Sequence, residues 1–232
     1  MTAQRAADEK LKTEFNRWAE DGRGEEMERH HIPITAPVLE MMDLRADDRV
    51  LDLGCGAGWA TRLLGERVPK GKVVGVDISD EMLRRAERAS KDFANVEYKL
   101  GSAEKIPAEN NFFTRVLSVE SFYYYADQDR ALDELFRVMT PWARFFILIN
   151  LYSDNHYSLR WVDTLQVPVH ALSEKQYIEL ISRHGFECAQ ARRVPDDSPT
   201  AEEYTGKWFK NAAELRDFKR IGALLLMADK PK

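Results

Sequence analysis

The chain has 232 residues, 44% of them hydrophobic, and 34 Lys and Arg against 39 Asp and Glu give a formal charge of −5. This balance excludes a disordered chain, and without a basic surplus it predicts no nucleic-acid partner. Two cysteines, Cys55 and Cys188, exclude a disulfide framework, and the absence of a CxxC or a Cys/His run predicts no metal site.

The first residues, Met1–Lys12, are charged and hold no apolar stretch, and no later run reaches membrane length. They predict a cytoplasmic protein with no signal peptide and no membrane partner. Leu11, Phe15 and Trp18 form one stripe of a helix, Gly22 and Gly24 break it, and Pro33 to Met42 predicts a second helix. Residues 1–44 therefore read as a helical arm, serving either as packing over a sheet edge or as a lid over a ligand. The acidic stretch Glu25 to Glu28 leads into His30 and His31, which read as a solvated turn. Should the arm fold over a ligand, one of them becomes a substrate contact or base, because imidazole titrates near neutral pH.

From Arg45 onward, short β-branched runs alternate with amphipathic segments, the pattern of an α/β fold with a mainly parallel sheet. Strands are predicted at Arg49–Gly54, Lys72–Asp77, Val96–Gly101, Thr114–Glu120, Arg144–Asn150, Glu187–Val194 and Gly222–Asp229. Helices are predicted at Trp59–Arg67, Asp80–Lys91, Asp129–Met139 and Glu174–His184. Ser79 suits an N-cap, with Asp80 and Glu81 favoured by the positive end of the helix dipole. Glu202–Arg220, with Tyr204, Trp208, Phe209 and Phe218, reads as a helical cover. The whole, 1–232, is expected to be one domain with its core at 45–232.

The informative segment runs Val50-Leu51-Asp52-Leu53-Gly54-Cys55-Gly56-Ala57-Gly58-Trp59. An apolar strand enters alternate glycines and then a helix, which allows a tight turn and a close ligand approach to backbone amides. A dinucleotide loop, G-x-G-x-x-G, would need its third glycine where Trp59 stands, and an indole obstructs a pyrophosphate. Trp59 thus argues against a nicotinamide oxidoreductase. Asp77, 19 residues beyond Gly58, ends the next strand at the spacing of an acid that accepts ribose hydroxyls. Loop and acid together point to a nucleoside ligand.

These residues resemble the class I S-adenosylmethionine-dependent methyltransferases, a Rossmann-like three-layer fold with a seven-stranded, mostly parallel sheet whose last strand is antiparallel. D-L-G-C-G-A-G, V-V-G-V-D-I-S, the segment Gly101 to Pro107 and the strand Val116 to Ser121 follow in that family's order, most like the branch of ubiquinone and menaquinone biosynthesis. The resemblance implies that Gly54, Gly56 and Gly58 surround the methionyl part of the cofactor, with Asp52 orienting the loop or meeting the ammonium group, directly or through water. It implies Asp77 on the ribose, Ile78 and Met82 against the adenine, Ala103 and Glu104 at the adenine edge, and Val119 or Glu120 near the ammonium group. Ser102 stands where the family commonly has Asp, and a hydroxyl accepts a hydrogen bond more weakly than a carboxylate.

Methyl transfer from a sulfonium is an in-line displacement that requires alignment more than a catalytic triad, with S-adenosyl-L-homocysteine as product. Acceptor-facing candidates come from strand carboxyl ends and the arm. They are Tyr123, Tyr124 and His31 for catalysis, and His30, Tyr125, Asn150, Tyr152, His156 and Trp161 for binding a small-molecule acceptor. A non-catalytic S-adenosylmethionine-binding sensor is the alternative, favoured if the acceptor chamber has a closed apolar filling.

Overall fold

The structure, a computed structural model, describes residues 3–232, with the side chains of residues 3–5 and Glu25 left out of the description. Met1 and Thr2, part of the charged start noted above, lie outside the described residues. Two helices open the chain, α1 (Ala3–Glu20) and α2 (Arg23–Met41). Then β1 (Arg49–Leu53), α3 (Trp59–Arg67), β2 (Lys72–Asp77), α4 (Asp80–Ala89) and β3 (Val96–Leu100) build one half of the sheet. The other half comprises β4 (Phe113–Val119), α5 (Gln128–Val138), β5 (Met139–Ile149), α6 (Glu174–Arg183), β6 (Glu187–Val194), α7 (Ala212–Ile221) and β7 (Ala223–Asp229).

The strand order is β3-β2-β1-β4-β5-β7-β6. β1 pairs in parallel with β2 and β4, whereas β7 runs antiparallel to both β5 and β6. Central strands are apolar on both faces because helices cover both; Val50, Leu51, Val116, Leu117, Phe145 and Ile147 are each 0% exposed. One apolar cluster packs under α4, α5 and α6, and a second joins α2 and α3 to the opposite face. Each such side chain contributes roughly 1.5–3 kcal/mol on burial. Sheet order reverses between β1 and β4, so their carboxyl ends diverge and open the crevice where this architecture binds ligands.

Local signals set most boundaries. Ser79 Oγ accepts from Met82 N at 3.1 Å and starts α4, with Asp80 and Glu81 in its first turn. Met82, Leu83 and Ala86 form its buried stripe.

Three expectations need correction. The second helix begins at Arg23, ten residues before Pro33, so Gly24 lies inside it and His30 and His31 are helical instead of in a turn. Only Gly22, at φ 73°, breaks the arm. Strand β5 starts at Met139, five residues before Arg144, because Trp142 takes φ 68° and lets the chain pass Pro141 without leaving the sheet. The stretch before α7 is irregular at 202–211: Tyr204 Oη accepts from the amides of Trp208 and Phe209, closing a loop where aromatic spacing had suggested a helix.

Candidate functional site

The loop after β1 is fixed from below by the sheet. Gly54 N and Cys55 N both donate to Val76 O, at 2.8 and 3.1 Å, and Thr61 Oγ1 donates to Asp52 Oδ2 at 2.6 Å. Asp52 is 1% exposed, and burial pushes its carboxyl up to about 7. It thus ties β1 to α3 and orients the loop between them.

The three glycines, all at positive φ, do different work. A Cβ on Gly54 would collide with Ser121 of the segment after β4, and one on Gly58 with Tyr98 Oη and Ala86. A Cβ on Gly56, at φ 52°, would meet nothing within 4 Å. The protein's own packing therefore requires Gly54 and Gly58, whereas the space over Gly56 is open.

Asp77, 8% exposed, borders that space. Its Oδ2 accepts from Gly56 N and its Oδ1 from Ser79 N, both at 2.8 Å. Burial raises its pKa, an effect partly offset by these amides. A carboxylate offers about four acceptor positions, so two remain for hydroxyls. Ile78 is half-buried and Met82 buried beside it.

Across the loop, Ser102 forms an isolated bridge with Lys105, and Ala103 is 4% exposed. Glu104 faces α5: its Oε1 accepts from Asp127 N at 3.3 Å and its carbonyl from Arg130 Nε at 3.0 Å. It secures the turn that carries Ser102 and Ala103.

At the end of β4, Val119 and Glu120 are half-buried, and Glu120 takes φ 53°. Its Oε1 accepts from Asn150 N at 2.5 Å and its Oε2 from Tyr123 Oη at 3.0 Å. Burial pushes its carboxyl up to about 7. The Tyr123 and Tyr124 rings meet at a tilt of 52° with centroids 4.5 Å apart, and their phenols are held well above the usual range by burial, neutral at physiological pH.

The arm reaches this place, though by residues other than the histidines. Phe15 and Trp18 of α1 lie edge-on to Tyr124, at 5.1 and 6.2 Å between centroids. Asn16 accepts from Ser79 Oγ at 2.6 Å and donates to Asp80 at 3.1 Å, while Lys12 pairs with Asp80 at 3.0 Å. These contacts hold Asp80 down at about 2. On α2, Gly24 lies against Ala57, and Arg62 holds both Ala57 O at 3.1 Å and Glu28 at 3.7 Å. α1 is thus latched beside Asp77, and α2 beside the glycine loop.

Among the described residues, no hydrogen bond or ring contact joins His30 or His31 to the tyrosines. His30 is exposed. Burial and its neighbour His30 push the His31 imidazole down to about 4, so it is neutral. Other acceptor candidates have structural partners. Tyr125 Oη bonds Ser121 at 2.8 Å and Leu53 O at 3.3 Å, and Tyr152, 0% exposed, donates to Gly222 O at 3.0 Å. Asn150 is 8% exposed and gives its amide to Glu120. His156 is exposed and stacks on Tyr157, and Trp161 packs with Trp208, Phe209 and Phe218. Phe15 and Asn16 were missed as site residues; the helical stripe marked Phe15 as buried but gave no sign of what it covers.

The family described as a methyltransferase domain matches residues 50–142, the segment that carries the glycine loop, Asp77 and Glu120. The chain is 30% identical over 150 residues to the putative methyltransferase YrhH of Bacillus subtilis, covering 64% of this chain and 74% of that one. It is 39% identical over 108 residues to a demethylmenaquinone methyltransferase of Symbiobacterium thermophilum, but spans only 43% of that protein. Several curated relatives are likewise matched over less than half their length. Among solved structures, a chain from a complex between the Haloferax volcanii Trm112 methyltransferase activator and a putative methyltransferase superposes with TM-score 0.88 at 29% identity, covering 94% of this chain and 98% of that one.

Proposed function

The chain belongs to the S-adenosylmethionine-dependent methyltransferase family, and we propose that it methylates a small-molecule acceptor. The open space over Gly56, bordered by Asp77, carries this reading. Residues present fit the cofactor: Gly54 to Gly58 for the methionyl part, Asp77 for the ribose, Ile78 and Met82 for the adenine, with Ser102 and Ala103 at its edge. When bound, S-adenosylmethionine supplies a methyl group whose bond to sulfur breaks, with the electron pair staying on sulfur, as the acceptor's lone pair bonds the methyl carbon.

The chain's own contribution is placement and exclusion of water. Asp52 and the Val76 carbonyl fix the loop; Asn16 and Lys12 hold α1 beside the ribose acid; Phe15 and Trp18 close the aromatic wall over Tyr124. Enclosure of this kind strengthens polar contacts by removing water. Arm and core act as one domain in this reading. The two free cysteines, one buried and one exposed, support a reducing, cytoplasmic setting. Among the described residues no helix is long and apolar enough to cross a membrane. The likeness to a chain solved in complex with a methyltransferase activator supports a protein partner of that kind for this one.

The aromatic closure over Tyr124 also favours the sensor alternative, since it fills the acceptor side with apolar side chains. An acceptor-panel assay for S-adenosylhomocysteine release, run against a no-acceptor control, separates the two. Acceptor-dependent release is expected; binding of the cofactor with no release from any acceptor identifies a sensor.

A further inference from the structure

The arm joins two places that the sheet sets apart. β2 and β4 flank β1, and the glycine loop leaves the carboxyl end of β1 between them. α1 meets the β2 side at the start of α4, where Asn16 and Lys12 hold Ser79 and Asp80. It meets the β4 side through Phe15 and Trp18, edge-on to Tyr124. A helix fixed at both places crosses the crevice.

The hold on the β2 side involves the ribose acid's own neighbour. Asp77 Oδ1 accepts from Ser79 N at 2.8 Å. The hydroxyl of the same Ser79, 0% exposed, donates to Asn16 Oδ1 at 2.6 Å and accepts from Met82 N at 3.1 Å. Asn16 Oδ1 also accepts from Glu81 N at 3.4 Å, and its Nδ2 donates to Asp80 at 3.1 Å. Both ends of one amide are thus engaged by the first turn of α4. Asp77, Ser79 and Asn16 form a continuous line of contacts from the crevice to the arm, with one buried residue at its centre. A ligand that steadies one member of such a line lowers the entropy cost of ordering the next.

We propose that Ser79 and Asn16 are positioning residues through which a nucleoside on Asp77 tightens the hold of α1 across the crevice. This inference rests on the proposed methyltransferase reading, with Asp77 as the acid that takes the ribose hydroxyls. Hydroxyls donating to Asp77 fix its carboxylate, the carboxylate holds the Ser79 amide, and the Ser79 hydroxyl is thereby kept on Asn16. The coupling is reciprocal: the factor by which the held arm raises nucleoside affinity is the factor by which the nucleoside strengthens the hold. The aromatic wall at Tyr124 is therefore firmest in the loaded protein.

The test is hydrogen–deuterium exchange of the α1 amides in the whole protein, with each ligand at a concentration that calorimetry shows to be saturating. S-adenosylhomocysteine should slow exchange in the second half of α1 by at least about fivefold in the parent. Methylthioadenosine, which keeps the ribose hydroxyls and lacks the amino-acid end, should give the same slowing within about twofold. In Asn16→Ala, S-adenosylhomocysteine should still bind but slow α1 by less than about twofold. Lys12→Ala, which removes the ion pair with Asp80 and keeps the line from Asp77, should retain the parent's slowing. A merely structural latch speeds α1 exchange in Asn16→Ala equally with and without ligand, so the ratio stays at the parent's value; that result overturns the proposal. So does a loss of slowing in Lys12→Ala as large as in Asn16→Ala, or a parent in which S-adenosylhomocysteine slows nothing. If Asn16→Ala does not fold, the parent decides alone, and slowing by S-adenosylhomocysteine but not by methylthioadenosine overturns the coupling through Asp77. A parent that binds neither nucleoside contradicts the methyltransferase reading itself, a result distinct from binding without slowing.

Discussion

Gly56→Val separates the space the protein packs from the space it keeps open. At φ 52°, a side chain at this position pays for left-handed backbone, about 1–2 kcal/mol, but its Cβ meets no protein atom within 4 Å. For a chain of this length that corresponds to a fall in melting temperature of roughly 2–8 °C, with the native fold retained. The isopropyl group then occupies the ligand's volume, and S-adenosylhomocysteine affinity should fall by at least about 100-fold, or roughly 2.8 kcal/mol. Gly58→Ala is the control, because its Cβ lies 2.8 Å from Ala86 Cβ and collides with Tyr98 Oη. Overpacking of about 1–3 kcal/mol adds there to the same backbone cost, so Gly58→Ala should lose more stability despite the smaller side chain. Thermal unfolding and calorimetry on the two variants provide both readouts. Unchanged ligand affinity in Gly56→Val would refute the assignment of the open space, and so would a stability loss as large as that of Gly58→Ala.

Asp77→Ala should weaken S-adenosylhomocysteine binding by about 1.5–3 kcal/mol through lost charge-assisted bonds, and calorimetry showing full affinity would place the ribose elsewhere. Asn16→Ala removes that side chain's bonds to Ser79 and Asp80 and leaves Lys12 alone on Asp80; limited proteolysis should cut α1 faster in this variant, and bound S-adenosylmethionine should slow the cut in the parent. Equal cleavage rates in variant and parent would reduce this latch to incidental contact. Asp52 and Glu120 stand near pH 7 because burial penalises their charged forms. Between about pH 4 and 7 the folded protein holds protons that the unfolded chain has released, so their contribution to stability declines as pH rises through that window. The cationic cofactor favours the ionised forms, so its affinity should rise from about pH 5.5 to 7, and a flat profile contradicts this. His31 has the opposite sign: held near 4, it stays neutral while the unfolded chain protonates below about 6.5, so stability falls as pH drops from 6.5 to 4. His31→Gln should flatten that acid limb in a melting-temperature series, and an unaltered limb would mean that His31 is not the group responsible.

What the sequence made legible follows from where local chemistry agrees with tertiary packing. The turn from β1 to α3, the acid ending β2 and the Ser79 cap are fixed by residues within a few positions of one another, and each stands where its pattern places it. Pro33 and Pro37 hid the length of α2, because proline is expected at helix starts, whereas packing against α3 and the sheet carries the helix through both. Pro141 similarly masked the start of β5. At the site, the alternate glycines marked the turn between β1 and α3, and Gly54, Gly56 and Gly58 all take positive φ there. The cover had no such mark: Phe15 meets Tyr124 more than 100 residues away in the chain, and no periodicity encodes which surface a stripe will meet. The tyrosines following β4 are a related case, since Tyr125 turns to the loop backbone while Tyr123 turns to Glu120.

The most direct test of the cofactor is titration of the parent protein with S-adenosylmethionine, S-adenosylhomocysteine and NAD under one set of conditions. Saturable one-to-one binding of both S-adenosyl ligands, with no heat from NAD, is the result expected from an open glycine cradle bordered by Asp77. Tight binding of NAD with none of the S-adenosyl compounds would contradict it.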